Sequence, residues 1–425
     1  MTRPASPFSF RDFRFYWGAR LFATLAQNAM VVVIGWQVYD IARRTMDTKT
    51  AALQLGLVGV AQFLPLLLLT LFVGWTADRI DRRWIARCSV LLEMGCAGAL
   101  ALLAWFEATT LPMLFGIAAL LGVARAFAGP ALSALAPNLV PLPVLPTAIA
   151  ASSIAWQAGA VVGPAAGGYL YAVDHWAPYA GAALLFGLSF GGLMMIRPVA
   201  RTTLDTVANP WRQMIDGLAY VRRNRLVLGA ISLDLFAVLL GGATAMLPIY
   251  ARDILKVGAE GLGHLRAAPA VGSAITACFF AFRPLRYNVG AKMLAAVCVF
   301  GLATVIFGIS RSMTLSLLCL VLLGSADMFS VFVRQSLIQI YTPDAMRGRV
   351  GAVSTLFISG SNELGEAESG FLAALIGPVA AVVAGGVGAI CVTLLWARWF
   401  PELKNARTFE PPRTLENIVG QEKAA

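Results

Sequence analysis

Apolar residues run along this chain in long blocks broken by short polar or basic segments. A helix that crosses the hydrocarbon core of a bilayer needs about 20 mostly apolar residues. Twelve blocks satisfy that length: Phe15 to Ile41, Ala52 to Trp75, Trp84 to Phe106, Pro112 to Leu135, Thr147 to Tyr171 and Trp176 to Ile196 in the first part of the chain. Leu226 to Ala251, Leu262 to Phe282, Ala291 to Ser310, Met313 to Ser336, Val350 to Leu375 and Val379 to Phe400 follow in the second. An even number places both ends of the chain on one side. The longest connection, Arg197 to Arg225, divides the spans six and six. The pattern predicts an all-α membrane protein with twelve transmembrane helices: a six-helix bundle over 1–196, a linker over 197–225, a second six-helix bundle over 226–400 and a tail over 401–425.

Composition agrees. Of 425 residues 59% are hydrophobic and 13% charged, whereas a soluble domain carries about 25% charged residues. The formal charge of +11 would suggest nucleic acid in a soluble protein, but in a membrane protein it can encode orientation. Of the 33 basic residues, 23 fall on the side of the termini and the long connection, 7 on the other side, and Arg20, Arg125 and Arg334 fall within spans. The bias predicts cytoplasmic termini and a cytoplasmic linker. Met1 to Arg14 is polar and the first span is long, so that span is expected to be the insertion signal rather than a cleaved leader. Six cysteines in or beside spans, without a CxxC pair, are expected to be buried, reduced packing residues.

The two halves repeat. Arg14, Gly18-Ala19 and Tyr39 recur as Arg225, Gly229-Ala230 and Tyr250 at an offset of 211. Arg79 and Arg82 recur as Arg283 and Arg286 at 204, and Leu120-Leu121-Gly122 recurs as Leu322-Leu323-Gly324 at 202. Pseudo-symmetric six-helix bundles suit an alternating-access carrier with its site between the halves near the midplane. Pro210 to Arg225 places Trp211, Ile215, Leu218 and Val221 at helical spacing, which predicts an amphipathic helix on the cytoplasmic face.

After the second span stands Gly74-Trp75-Thr76-Ala77-Asp78-Arg79-Ile80-Asp81-Arg82-Arg83. It resembles the G-x-x-x-D-R-x-G-R-R loop of the major facilitator superfamily, with Asp81 where that family has glycine. The resemblance implies the major facilitator fold, with Gly74, Asp78, Arg79, Arg82 and Arg83 forming a conformational latch against the start of the eleventh helix. The fifth span carries Gly159, Gly163, Pro164, Gly167 and Gly168 in the pattern G-x-x-x-G-P-x-x-G-G, similar to the antiporter signature of the superfamily's exporters. Taken as generic small-residue packing, the same segment carries no direction. Arg125 with Gly129-Pro130 is similar to the R-x-x-x-G element of the fourth helix. The whole chain, including the opening FRDFRFYWGARLF, looks most like the enterobactin-exporter-like branch, which contains siderophore and macrolide efflux proteins.

Ionisable residues inside spans are the candidates for coupling. Arg125 lies about 20 Å along its helix from Pro112, and its repeat counterpart at offset 202 is Asp327, so the two are expected to face each other. In the eleventh span Glu363 and Glu366 share a face with Ser359 and Asn362, and two carboxylates one turn apart disfavour simultaneous ionisation. Asp327, Glu363, Glu366 and Arg125 are the proton-coupling candidates. Asp234, Glu93 and Arg20 are placed nearer the cytoplasmic ends as gating or structural pairs, and Arg334 is expected to snorkel. Gln27, Asn28 and Trp36 are candidates for the substrate cavity.

Enzymatic readings fail. Gly187-Leu188-Ser189-Phe190-Gly191 fits the G-x-S-x-G hydrolase pattern but lies inside an apolar span. His175 and His264 make no metal-ligand spacing and no P-loop is present, so no cofactor or metal is expected and the energy must come from an ion gradient. The sequence therefore predicts a monomeric secondary transporter that is proton-coupled and exports a small amphipathic molecule such as a drug or siderophore. Its partners are the small-molecule substrate, protons and the lipid bilayer, with no nucleic acid. An importer or facilitator of a nutrient or lipid, and a non-transporting membrane sensor, are the other readings.

Overall fold

Hydrocarbon offers no partner to a backbone N–H or C=O, so a chain this apolar can only cross it as helices. The computed structural model describes residues 6–135, 138–141, 144–198, 210–283, 285 and 287–409, without the side chains of 70–79, 134, 146, 150, 210–213, 281–282, 344–345, 348, 352, 355, 359 and 363. The first half contains α1 (Arg11–Thr45), α2 (Thr48–Arg79), α3 (Arg82–Trp105), α4 (Leu111–Leu135), α5 (Leu145–Val173) and α6 (Ala177–Met194). The linker holds α7 (Pro210–Arg223). In the second half the seventh span is broken. It consists of α8 (Arg225–Leu240), a 3-10 turn at Ala243–Met246, the short α9 (Leu247–Ile249) and a π turn at Tyr250–Ile254. Then follow α10 (Gly258–Phe282), α11 (Val289–Ile309), α12 (Met313–Ile340), α13 (Asp344–Ile376), α14 (Pro378–Trp399) and the short α15 (Pro401–Lys404).

Among the described residues ten helical segments are long and apolar enough to cross a membrane by themselves. The other two spans are α10, with Glu260, His264 and Arg266, and α13, with Glu363, Glu366 and Glu368. Their charge lowers their hydropathy, and both lie where the halves meet. The termini and the linker share one face, called the terminal face below. The turns at 46–47, 106–110, 174–176, 255–257, 310–312 and 377 form the distal face. At the distal loop before α2, hydrogen bonds from Thr50 hold the Asp47 carboxyl below the usual carboxylate range.

The sequence repeat is a packing repeat. A Cβ on Gly122 of α4 would lie 2.2 Å from the Gln62 carbonyl oxygen of α2. At its counterpart, Gly324 of α12, a Cβ would lie 1.9 Å from the Pro269 carbonyl oxygen of α10. Both glycines let two backbones touch, which is how helices associate where lipid removes any hydrophobic drive between them. Within the first half α1 is tied on two sides: Trp17 Nε1 donates to the Ala151 carbonyl at 2.8 Å and Ser189 Oγ to the Ala19 carbonyl at 2.8 Å.

The basic loop between α2 and α3 does local work. Asp81, at the position where the resembling family has glycine, caps α3 by accepting from the Arg83 backbone N–H at 2.9 Å, and it pairs with the Arg83 guanidinium at 2.5 Å. Arg83 also reaches the Ile196 carbonyl, while Arg87 donates to the carbonyls of Leu193, Met194 and Ile196. The two guanidiniums thus satisfy the orphan carbonyls at the end of α6. The side chains of Gly74, Asp78 and Arg79 lie outside the described residues.

In the linker helix Met214, Gly217 and Val221 turn toward the protein, whereas Ile215 and Leu218 are exposed. Gly217 lies against the Arg349 backbone, and Arg349 pairs with Asp216 at 3.2 Å. Of the six cysteines only Cys96 and Cys319 are buried; Cys88, Cys278 and Cys391 are exposed. An apolar thiol on the outside of such a bundle meets lipid, which suits it as well as a protein core does.

Gly324→Ala is expected to lower the thermal midpoint in detergent by several degrees, since overpacking costs about 1–3 kcal/mol. Gly98→Ala, whose Cβ would have nothing within 4 Å, should leave the midpoint unchanged or slightly raised.

Candidate functional site

The site begins with the break in the seventh span. Gly241 and Gly242 interrupt the helix, and a Cβ on Gly242 would collide with Ser369 Oγ at 2.1 Å and approach the Gly365 carbonyl at 2.7 Å. The break is therefore seated on α13. In the turn that follows, the Thr244 carbonyl accepts from the Leu247 N–H and also from Arg266 Nη1 of α10 at 2.9 Å. The same guanidinium faces Glu366 of α13 at 3.4 Å. Glu366 in turn rests on the first half: a Cβ on Gly59 of α2 would stand 3.7 Å from its Oε2. One turn further along α2, Gln62 Oε1 accepts from Arg125 Nη1 at 3.2 Å. Discontinuous helices that offer freed carbonyls at the midplane, where two halves meet, are the architecture of carrier binding sites.

A cavity of about 40 Å³ lies at this junction, lined by Val31, Gly35, Leu55, Gln62, Arg266 and Glu366 among others. That is room for one or two waters, well below the roughly 300 Å³ of the smallest ordinary ligand pockets. The centre is closed down on an ion pair.

From this centre to the distal face the halves are bonded. Gly56 of α2 meets Gly370 of α13, where a Cβ on the former would come within 2.9 Å of the latter's Cα. Lys49 donates to the Leu375 carbonyl at 3.1 Å. Tyr169 of α5 and His264 of α10 share a hydrogen bond of 2.6 Å. At the tips of the first and seventh spans, two ion pairs cross in opposite senses: Arg43 with Asp253 at 3.1 Å, and Arg252 with Asp40 at 2.8 Å. Tyr39 adds a hydrogen bond to Asp253 at 2.5 Å. The distal face is shut in this structure.

The antiporter-like segment divides its labour. Cβ atoms on Gly159, Gly163 and Gly167 would strike Thr24, the Leu25 carbonyl and Ala29 of α1, so these three close α5 on α1 inside the first half. Gly168 instead abuts Ala259 and Gly263 of α10, and Gly263 abuts Pro164. Three residues of the pattern hold a bundle together, and two, Pro164 and Gly168, form the contact between bundles.

The structure places the other predicted residues differently from their sequence-based roles. Arg125 and Asp327 are not brought together: α2 packs against α4, and its Gln62 takes the arginine's hydrogen bond. Asp327 is half-buried on α12 and has no ion-pair partner among the described residues. Glu363 has its side chain outside the described residues, so its pairing with Glu366 lies outside them too. Glu93 is not near a helix end. It lies at the middle of α3, fully buried, accepting from Gln27 Nε2 at 2.6 Å and within electrostatic reach of Arg125. That bond commits Gln27 to the interior of the first half. Asn28 donates to the Thr24 carbonyl of its own helix, and Trp36 is buried. The α1 residues that line the central cavity are Val31, Val32 and Gly35, not these three.

Asp234 pairs with Arg334 inside the second half, both buried, so Arg334 does not snorkel. Arg20 donates to Tyr16 on its own helix at 2.9 Å. None of these described bonds of the gating candidates crosses the halves. Of the residues whose bonds do cross, Arg43, Lys49 and Arg252 were among the seven basic residues placed on the far side, whereas Asp40, Asp253 and Tyr169 were not singled out in the sequence. Their signal was there in the repeated tyrosines, Tyr39 and Tyr250, each followed within a turn by an acid and an arginine in opposite order.

Two six-helix halves that close on each other through glycine contacts and two ion pairs at the distal face define a multi-pass membrane transporter of the major facilitator superfamily. Residues 2–417 match the transmembrane secretion effector family, and the chain belongs to that family. It is 26% identical over 412 residues, 95% of each chain, to the enterobactin exporter EntS of Escherichia coli O1:K1 / APEC, and equally so to that of Escherichia coli O9:H4 strain HS. Among solved structures it is similar to an inward-facing bacterial homologue of the human lysosomal transporter Spinster. There the TM-score is 0.73 and the identity 15%, over 92% of this chain and 98% of the other. A D-xylose-proton symporter gives a TM-score of 0.68 at 15% identity, over 92% and 97%. These relatives are transporters, not enzymes.

Asp253→Asn removes the charge that meets Arg43. Since an exposed or half-buried pair contributes up to about 1 kcal/mol, the distal-open population is expected to rise about fivefold. Spin-label distances between Thr45 and Ile376, both exposed at that face, should then broaden to longer values, and the swapped pair Arg43→Asp with Asp253→Arg should restore the short distance.

Proposed function

We propose that this protein is a proton-coupled exporter of the bacterial inner membrane, with cytoplasmic termini, that moves a small amphipathic molecule outward by alternating access of its two halves, 1–196 and 226–400. The observation that carries the reading is the pair Arg266–Glu366, held at 3.4 Å where both halves and the broken seventh span converge. Both partners belong to the second half, and a carboxylate there that gives up its arginine for a proton loosens α13 from α10 right beside its contact with Gly59 of the first half. Asp327, which has no ion-pair partner among the described residues, is the second proton candidate, and Glu363 and Arg125 complete the set drawn from the sequence. With the termini in the cytoplasm, the shut distal face is the outer one, which is the state in which an exporter would load cargo from inside.

Export as opposed to import is supported by the Gly159 to Gly168 segment and by relatives named as enterobactin exporters. A siderophore is accordingly the first cargo to test, and a drug the second. An importer would share every geometric feature of the centre, so direction needs its own measurement.

In proteoliposomes with an imposed pH gradient, enterobactin flux by the wild type should collapse when the gradient is dissipated. Glu366→Gln should cut gradient-driven flux at least tenfold and leave exchange of cargo without a gradient largely intact. Flux indifferent to pH in the wild type, or unchanged with Glu366→Gln and Asp327→Asn combined, excludes proton coupling through these groups. In iron-limited cells a deletion should raise retained enterobactin; a fall instead would assign import.

A further inference from the structure

A second cavity, wider than the central one, lies away from the centre. It lies on the terminal face of the second half, about 720 Å³ in volume, between the end of α7, the start of α8, the end of α12 and the stretch after α15. That volume falls in the range of about 300–1,000 Å³ typical of ligand sites. Its level in the membrane follows from the helix ends around it. Tyr341 closes α12, Arg225 opens α8, and Phe400 and the exposed Trp399 end α14, so the cavity opens where spans leave the hydrocarbon and aromatic side chains prefer to sit.

Its charge is one-sided. Arg223, Arg225 and Arg407 line it against a single carboxylate, Glu402. That carboxylate is already engaged: it pairs with Arg225 at 2.9 Å, while Arg225 also donates to the Trp399 carbonyl at 2.7 Å and lies over the Phe400 ring. Arg225 is thereby fixed as one wall. Arg223 and Arg407 are exposed and have no hydrogen-bond or ion-pair partner among the described residues. The amides of Asn224 and Asn405 complete the polar lining. Arginine forks converging from three segments match the oxygens of a phosphate group.

We propose that this cavity binds a phosphate-bearing anion, with the headgroup of an anionic phospholipid as the source its depth favours. A phosphate held there would bridge Arg223 at the end of the linker helix and Arg407 beyond α15. It would thereby fasten the linker to the second half, to which α7 is already joined by Tyr220, whose hydroxyl donates to the Tyr341 carbonyl at 2.7 Å. This site is separate from the transport centre and does not depend on the cargo or on proton coupling.

The test uses the full chain in nanodiscs of neutral phosphatidylcholine, with and without phosphatidylglycerol, reading retained phospholipid by native mass spectrometry and the thermal midpoint in parallel. Each basic residue near an anionic surface is worth about 1 kcal/mol, so Arg223→Gln with Arg407→Gln should weaken phosphatidylglycerol retention by at least tenfold. Lys404→Gln, which removes a neighbouring charge outside the cavity, should leave retention unchanged and controls for net charge and folding. Inorganic phosphate added to neutral nanodiscs is the second arm: stabilisation of the wild type but not of the double variant supports the anion site with a soluble source. Equal retention by wild type and double variant, together with no response to phosphate, overturns the proposal.

Discussion

Close approach between helix backbones is the constraint on which this molecule depends. In lipid, leucine on one helix gains little by leaving hydrocarbon for leucine on another, so association rests on van der Waals contact and on the few polar bonds that small residues allow. The glycines at 122 and 324 set the spacing inside each half, and Gly56, Gly168, Gly263 and Gly370 set it between the halves. The same device thus serves two different purposes. Inside a half, the contacts are accompanied by buried bonds such as Glu93 with Gln27 and Arg334 with Asp234, which are costly to break. Between halves, the glycine contacts are accompanied by pairs near the surface, which cost little. Rigid bodies and a yielding seam follow from where the polar groups were placed, not from a difference in the apolar packing.

The centre shows how a break in regular structure becomes chemistry. Glycines at 241 and 242 end a helix inside the membrane, and in the 3-10 turn that follows the Thr244 carbonyl accepts from the Leu247 N–H and, with its second lone pair, from Arg266. A guanidinium at that depth needs an anion, and Glu366 meets it. Removing any one of them changes the requirements of the rest, and a small event at the carboxylate can therefore be felt in the path of the seventh span.

Much of the fold was legible in the sequence, because span length, charge bias and a colinear repeat all report on the bilayer itself. The twelve spans were visible even at α10 and α13, where charge dilutes the apolar signal. What stayed hidden was partnership. Arg266 and Glu366 are 100 residues apart, and a repeat offset suggested Arg125 with Asp327 instead, since pseudo-symmetry predicts equivalent places and not mutual contact. Glu93 was misplaced in depth because span edges were uncertain by about a turn, and three cysteines faced outward because an apolar thiol carries no sign of which apolar medium it meets. The basic loop after α2 matched its family pattern, yet Arg83 acts within its own half, bound by the one residue that departs from that pattern, Asp81.

The two repeated tyrosines make the halves unequal partners. Tyr39 donates across the seam to Asp253, whereas Tyr250 donates to the Gly308 carbonyl of its own half at 2.6 Å and stacks on Phe307. Any parting of the distal face would cost the first half its tyrosine bond and leave the second its own. The tip of the seventh span, moored to α11, is the fixed jamb of this closed face, and the tip of the first span is the leaf held against it.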